Sequence, residues 1–130
     1  MLEFRLKEHY DYVDQFVIIE SNKSFTNKSK EYFFQEHIYK FREYIDKITY
    51  IKLNDSTPYS SAWDAEEFQR NCISKGLDKL NLHDDDIVLI SDVDEILNVD
   101  IIPDLKLVDN LKLHSLEYDM YYYNMECYKK

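Results

Sequence analysis

Glycine is almost missing from this chain: Gly76 stands alone among 130 residues. No Gly-rich loop can cradle a phosphate, so neither the dinucleotide fingerprint nor the P-loop can be written with this sequence. Cysteine is scarce as well. Cys72 and Cys127 lie in no Cys-x-x-Cys and in no Cys/His cluster with zinc spacing, which argues against a structural zinc site. They read as two free thiols in a reducing compartment, a single disulfide being the alternative. Basic residues are outnumbered, 16 Lys and Arg against 26 Asp and Glu, for a net charge of -10. Phosphate backbones and anionic membranes attract the opposite balance, so no nucleic acid is expected as a partner. No apolar run approaches the roughly 20 residues that span a bilayer, and Met1-Leu2-Glu3-Phe4-Arg5 has no apolar signal region. The expectation is a soluble, cytoplasmic protein with no membrane segment.

What is abundant is aromatic side chain. Twelve Tyr and 7 Phe supply ample material for one core, and the length suits a single domain over residues 1–130. His9, His37, His83 and His114 are scattered without ligand spacing and read as surface or packing residues. Asn22, Asn27 and Asn54 each head an Asn-x-Ser sequon, which matters only in a secretory context.

Leu2, Leu6, Tyr10 and Val13 recur at helical spacing and predict an amphipathic helix over 2–13. Residues 15–20 read as a buried strand ending in a carboxylate, 21–30 as a polar loop. A helix is predicted over 31–46 with Phe34, Ile38, Phe41 and Ile45 on one face, then a strand over 48–53 and a loop over 54–61. Residues 62–80 carry the clearest helical stripe: Ala62, Ala65, Phe68, Ile73, Leu77 and Leu80. Gly76 inside it costs about 1 kcal/mol relative to Ala and signals a close contact or an early end. Trp63 at its start reads as core packing. Asp84 to Asp86 form a solvated turn, Pro103 breaks any helix through 98–109, and residues 111–116 and 120–125 look extended. Strands alternating with helices imply an α/β fold with parallel strands.

The most chemical stretch is Asp86-Ile87-Val88-Leu89-Ile90-Ser91-Asp92-Val93-Asp94-Glu95. Four unbroken apolar residues predict a central strand over 86–91, buried on both faces. Asp92 and Asp94 then fall at its carboxyl end, where open α/β sheets place their ligands. Two hard oxygen donors suit Mg²⁺ or Mn²⁺, and the cation could carry a diphosphate. An EF-hand is excluded, because the sixth and twelfth positions counted from Asp92 are Leu97 and Pro103 rather than Gly and Glu. Acidic residues after a strand also serve simply as a solvated turn.

Four segments occur in order: Leu2-Glu3-Phe4-Arg5-Leu6, Phe16-Val17-Ile18-Ile19-Glu20-Ser21-Asn22-Lys23-Ser24-Phe25, Trp63-Asp64-Ala65-Glu66-Glu67-Phe68-Gln69-Arg70-Asn71, and Ile90-Ser91-Asp92-Val93-Asp94-Glu95-Ile96. Together, with the aromatic run from Tyr118 to Asn124, they resemble glycosyltransferase family 17. The resemblance implies a GT-A-like, Rossmann-type, mostly parallel sheet flanked by helices, of which this chain would be the N-terminal part. It implies a nucleotide-sugar donor, UDP-N-acetylglucosamine in the type member, and a divalent cation, Mn²⁺ or Mg²⁺. By resemblance Asp94 binds the metal, and Asp92 binds metal or donor ribose. Glu20 and Asn22 match the place where the nucleoside is held, and Arg70 and Asn71 match a helix that could reach the donor.

Each of these residues also has a plainer use. Glu20 suits a strand end on a solvated turn, and Arg70 suits an ion pair with Glu66 or Glu67 on its own helix. An inverting transfer needs a general base for the acceptor hydroxyl, for which Glu95, Glu117 and Asp119 are candidates by residue type alone. Three functions compete: a metal-dependent transferase acting on a glycan hydroxyl, a non-catalytic nucleotide-sugar-binding module working with a partner segment or as a homo-oligomer, and a Mg²⁺-dependent phosphotransfer domain. The third fits worst, because its Asp-x-Asp would come early in the chain and carry a nucleophile.

Overall fold

A computed structural model describes residues 1–56, 58–108, 115–117, 120–121 and 128–129. Its centre is a pair of parallel strands, β1 (Phe16–Ser21) and β2 (Ile48–Leu53), in register from Phe16 opposite Ile48 to Ser21 opposite Leu53. Alternation along each strand sends side chains to opposite faces, and both faces are covered. Phe16, Ile18, Ile48 and Tyr50 pack against buried Leu6, Phe34, Phe41 and Tyr44. On the other face Ile51 and Leu53 cluster with Cys72, and Ile19 packs against them. The fold is mixed helix and strand, as α/β requires, with helical segments on both sides of a small parallel sheet.

One covering layer is α1 (Leu2–His9) and a 3-10 segment over Ile38–Lys47. Leu6 is buried, while Leu2 and Tyr10 fill in around it, as the spacing predicted. The chain turns after His9, which accepts the amides of Tyr12 and Val13, so the helix is shorter than expected. Lys47 Nζ donates to the carbonyls of Tyr10 and Val13 at 2.7 and 2.9 Å and pins this turn.

The helix expected over 31–46 is a correction. Only α2 (Phe33–Glu36) is α-helical; Phe41 departs from helical dihedrals, and the rest winds as 3-10. At three residues per turn, positions three apart share a face. From Phe41 onward Tyr44 therefore lies with Phe41 in the core and Ile45 is exposed, while Ile38, ahead of the kink at Phe41, is exposed as well.

The other layer is α3 (Ala62–Asn71) and α4 (Ser74–Leu77). Ser61 caps α3 by accepting the Asp64 amide at 3.1 Å, with Asp64 favourably placed in the first turn. The single helix expected over 62–80 is interrupted, with Ser74 Oγ bonding the Asn71 carbonyl at 2.9 Å. Gly76 explains the close approach of α4. A Cβ there would run into Cγ1 of Val17 and stand 3.4 Å from Ile51 and 3.5 Å from Ile19. Trp63 is also a correction: it is 78% exposed rather than core.

The largest correction concerns 86–91. These residues form no strand and pair with neither β1 nor β2. Ile87 and Leu89 are half-buried, and Val88 and Ile90 are exposed. An apolar run demands cover, but it becomes a strand only where a neighbour offers free N–H and C=O groups. Downstream, a 3-10 turn (Val99–Ile101) leads into α5 (Ile102–Leu105), with Pro103 in its first turn, where its missing N–H costs nothing. Two short strands, β3 (Met120–Tyr121) and β4 (Tyr128–Lys129), pair antiparallel. Of the segment expected to be extended over 111–116, Ser115 and Leu116 have no regular structure and the rest lies outside the described residues, as do 122–125. No helix among the described residues is long and apolar enough to cross a membrane.

Replacing Gly76 with Ala adds helix propensity but overpacks the α4–sheet contact. Gly76→Ala is expected to lower unfolding free energy by about 1–3 kcal/mol, read from urea denaturation. An unchanged or raised midpoint would show that the contact yields freely.

Candidate functional site

The carboxyl ends of β1 and β2 open into two loops, and the first sequence-predicted residues lie there. Glu20 is not a free ligand in this arrangement. Its side chain is only 12% exposed. It accepts the Phe33 amide at 2.7 Å, the Phe34 amide at 3.1 Å and the Tyr50 hydroxyl at 2.8 Å, with Lys30 Nζ at 3.5 Å. Glu20 thus ties the end of β1 to the start of α2 and to β2.

Asn22 is similarly engaged. Its side-chain amide donates to Asn54 Oδ1 at 2.9 Å, and its Oδ1 accepts the Asp55 amide at 3.1 Å. Asn27, which adopts a positive φ of 60° that asparagine tolerates, donates to the Tyr59 carbonyl at 2.9 Å and accepts its amide at 2.8 Å. The three sequon asparagines are therefore staples between the two loops.

The Asp-x-Asp forms a tight turn rather than a strand end. Glu95 N donates to Asp92 O at 3.1 Å, and Asp92 N donates to Glu95 Oε2 at 2.9 Å. This reciprocal pair closes the turn and occupies Glu95, one of the candidate bases. Asp92, Asp94 and Glu95 are all exposed. Arg70, near the end of α3, joins them: its Nη2 lies 3.0 Å from Glu66 and 3.5 Å from Asp92 Oδ1. The ion pair with Glu66 expected on its own helix is present, and Arg70 also meets the Asp-x-Asp turn. The neighbouring Gln69 reaches the Lys23 carbonyl at 3.4 Å, so the end of α3 touches both the loop after β1 and the Asp-x-Asp turn. Asn71, the last residue of α3, is exposed.

One participant was missed by sequence reasoning. Arg5 on α1 donates through Nη1 to Asp92 O at 2.5 Å and Glu95 O at 3.1 Å, and through Nη2 to Ser91 Oγ. The signal was present, since Arg5 lies inside one of the four segments that carried the resemblance. A lone Arg on a helix gives no sign of where it reaches.

The donor set can be tested against a divalent cation. Among the described residues no group of three or more His, Cys, Asp or Glu could hold a metal by itself. Asp92 and Asp94 offer only carboxylates from one turn. That suits Mg²⁺ or Mn²⁺, which commonly bind through one or two carboxylates and fill the remaining positions with phosphate oxygens and water. It does not suit a dedicated protein cage. A groove of about 160 Å³ lies beside the end of β2, lined by Lys52, Asn54, Asp55, Phe68 and Lys75 among others. Ligand sites usually enclose about 300–1,000 Å³, so this groove is smaller than a nucleotide sugar needs. Glu117 is exposed, and Asp119 lies outside the described residues.

The Glu20 network has a measurable consequence. Glu20→Ala is expected to cost about 2–3 kcal/mol of stability, since a charge-accepting hub is lost and its donors are left unpaired. A residue serving only a ligand would leave the urea midpoint unmoved. Burial first, and then the hydrogen bond and negative charge of Glu20, push the Tyr50 phenol well above its ordinary value of 10.0. The neutral phenol's contribution is thus complete below pH 10 and is lost as pH rises beyond it. Stability above pH 10 should fall less steeply in Tyr50→Phe than in the wild type.

Comparison with known proteins bears on the whole chain. The model of Glycosyltransferase family 17 matches residues 1–130. The human Beta-1,4-mannosyl-glycoprotein 4-beta-N-acetylglucosaminyltransferase is 34% identical over 115 residues, which cover 84% of this chain and 22% of that protein. The rat protein of the same name is also 34% identical over 115 residues, covering 84% of this chain and 21% of its own length. The chain spans about a fifth of the length of these curated relatives. No solved structure is significantly similar to it. The segments that bring Arg5, Arg70 and Asp92 together are the ones that carried the resemblance, and the match extends over the full sequence: the chain belongs to glycosyltransferase family 17.

Proposed function

We propose that this chain is a donor-binding part of a metal-dependent, inverting glycosyltransferase with a GT-A-like fold. The reaction moves N-acetylglucosamine from UDP-N-acetylglucosamine to a glycan hydroxyl. The observation that carries this reading is the approach of Arg70 to Asp92, 3.5 Å apart. It joins two family segments, separate in sequence, into one place where cationic and anionic groups face solvent together. The relatives' name supports the transferred sugar and a mannosyl-glycoprotein acceptor.

In this reading Asp92 and Asp94 hold the cation, which when bound would neutralise the charge that builds on the departing diphosphate. Arg70 adds a planar donor set suited to phosphate oxygens. Its pairing with Glu66 holds the guanidinium at the turn. Asn71 follows directly at the end of α3 and is a candidate donor contact. Glu20 and Asn22 act behind the site, fixing the loop past which the nucleoside would lie. Glu95 is a poor base while its carboxylate closes the turn. Glu117 and Asp119 remain the candidates for receiving the acceptor's proton.

A second reading, a nucleotide-sugar-binding piece that performs no transfer by itself, is favoured by the small groove and by Glu95 being occupied. Release of UDP on adding glycan acceptor separates the two.

Titration calorimetry of UDP and UDP-N-acetylglucosamine, with and without Mn²⁺, tests the site. Binding is expected to require Mn²⁺ and to weaken at least about tenfold in Asp94→Asn, where one carboxylate ligand is lost. Equal binding by wild type and Asp94→Asn would overturn the metal assignment. No binding by the wild type would overturn the donor site in this chain.

A further inference from the structure

We propose that Arg5 is the positioning residue of the Asp92–Glu95 turn, setting its shape for a divalent cation through the backbone. The inference rests on the assignment of Asp92 and Asp94 as cation ligands made above. Three carboxylates occur within four residues at Asp92, Asp94 and Glu95. Their mutual repulsion opposes any compact turn. Two bonds within the turn resist it, from Glu95 N to Asp92 O and from Asp92 N to Glu95 Oε2.

Arg5 adds what the turn lacks by itself. Its positive charge sits against the acidic segment. Its guanidinium takes the Asp92 and Glu95 carbonyls and the Ser91 hydroxyl, so it grips the backbone of the turn. A rigid planar fork with five donors can span three acceptors, whereas an ammonium is a single point. The turn cannot rotate without breaking these bonds together. The backbone frame that carries Asp92 and Asp94 is thereby anchored to α1, with both residues exposed. Arg70 does a different job, meeting the Asp92 carboxylate itself.

Groups behind metal ligands typically alter affinity by about 10- to 100-fold when removed, and a comparable loss is expected here. The test is Mn²⁺ affinity, read by electron paramagnetic resonance at fixed UDP, for the full chain as wild type, Arg5→Gln, Arg5→Lys and Ser91→Ala. Urea midpoints are measured alongside, with amide exchange at Glu95. The proposal expects Arg5→Gln to bind Mn²⁺ about 10- to 100-fold more weakly and Glu95 N–H to exchange faster. Arg5→Lys should recover part of the affinity, and Ser91→Ala, which removes one acceptor and keeps the fold, should show a smaller loss. A lowered urea midpoint with unchanged Mn²⁺ affinity in Arg5→Gln would overturn the proposal and leave Arg5 as a purely structural contact. Failure of the wild type to bind Mn²⁺ and UDP would bring down the donor-site reading and this inference with it. That outcome is distinct from wild-type binding that Arg5→Gln retains.

Discussion

Parallel strands cannot be joined by a tight turn; the chain must leave the sheet and return from the other end. The two-layered core follows from the pairing of Phe16–Ser21 with Ile48–Leu53. The crossover supplies α2 and the 3-10 segment, which cover one face together with α1. The chain that leaves β2 supplies α3 and α4, which cover the other. Both strands end on the same side, so the loops that follow them meet. Their staples, Asn22 to Asn54 and Asn27 to Tyr59, make a fixed rim out of two polar stretches.

That rim changes how the acidic residues divide. Glu20 and the Asp92–Glu95 turn look alike in sequence, as carboxylates after apolar runs. Glu20 is surrounded by amide and hydroxyl donors and is satisfied by internal bonding. Asp92 and Asp94 stay at the surface. Donors inside the protein surround the first carboxylate, whereas Asp92 meets Arg70 at 3.5 Å and otherwise, like Asp94, faces solvent. The turn is left exposed, and Glu20 holds the layers in place.

The sequence was informative where a local rule decides the outcome. Both strands of the parallel pair and the start of α3 appear within a residue of where the apolar runs and the helical stripe put them. Gly76 marks a close contact and stands one residue before the end of α4, as its cost inside a helix suggested. Where a distant partner decides, the sequence was mute or misleading. Residues 31–46 have a helical period, yet a change in winding exchanged Ile45 for Tyr44 in the core. Residues 87–90 are as apolar as any buried strand, but nothing in their composition shows whether an edge is there to receive them. The site was legible in the same measure. Arg70 and Asp92 were named from motif resemblance and stand together, while Arg5, though inside a matching segment, gave no sign of what it reaches.

The grip of Arg5 joins residues 87 and 90 positions apart in the chain. Closing a loop of that length is entropically costly, and contacts of such separation form late relative to local ones. Strands, caps and loop staples draw on partners nearer in sequence, so the scaffold can assemble while the acidic turn is still loose. The order of events matters to what the turn can become. A chain that has built its core but not yet delivered α1 to residues 91–95 holds the carboxylates without their frame. Seating of the acidic turn on Arg5 is then expected to follow formation of the body that carries it.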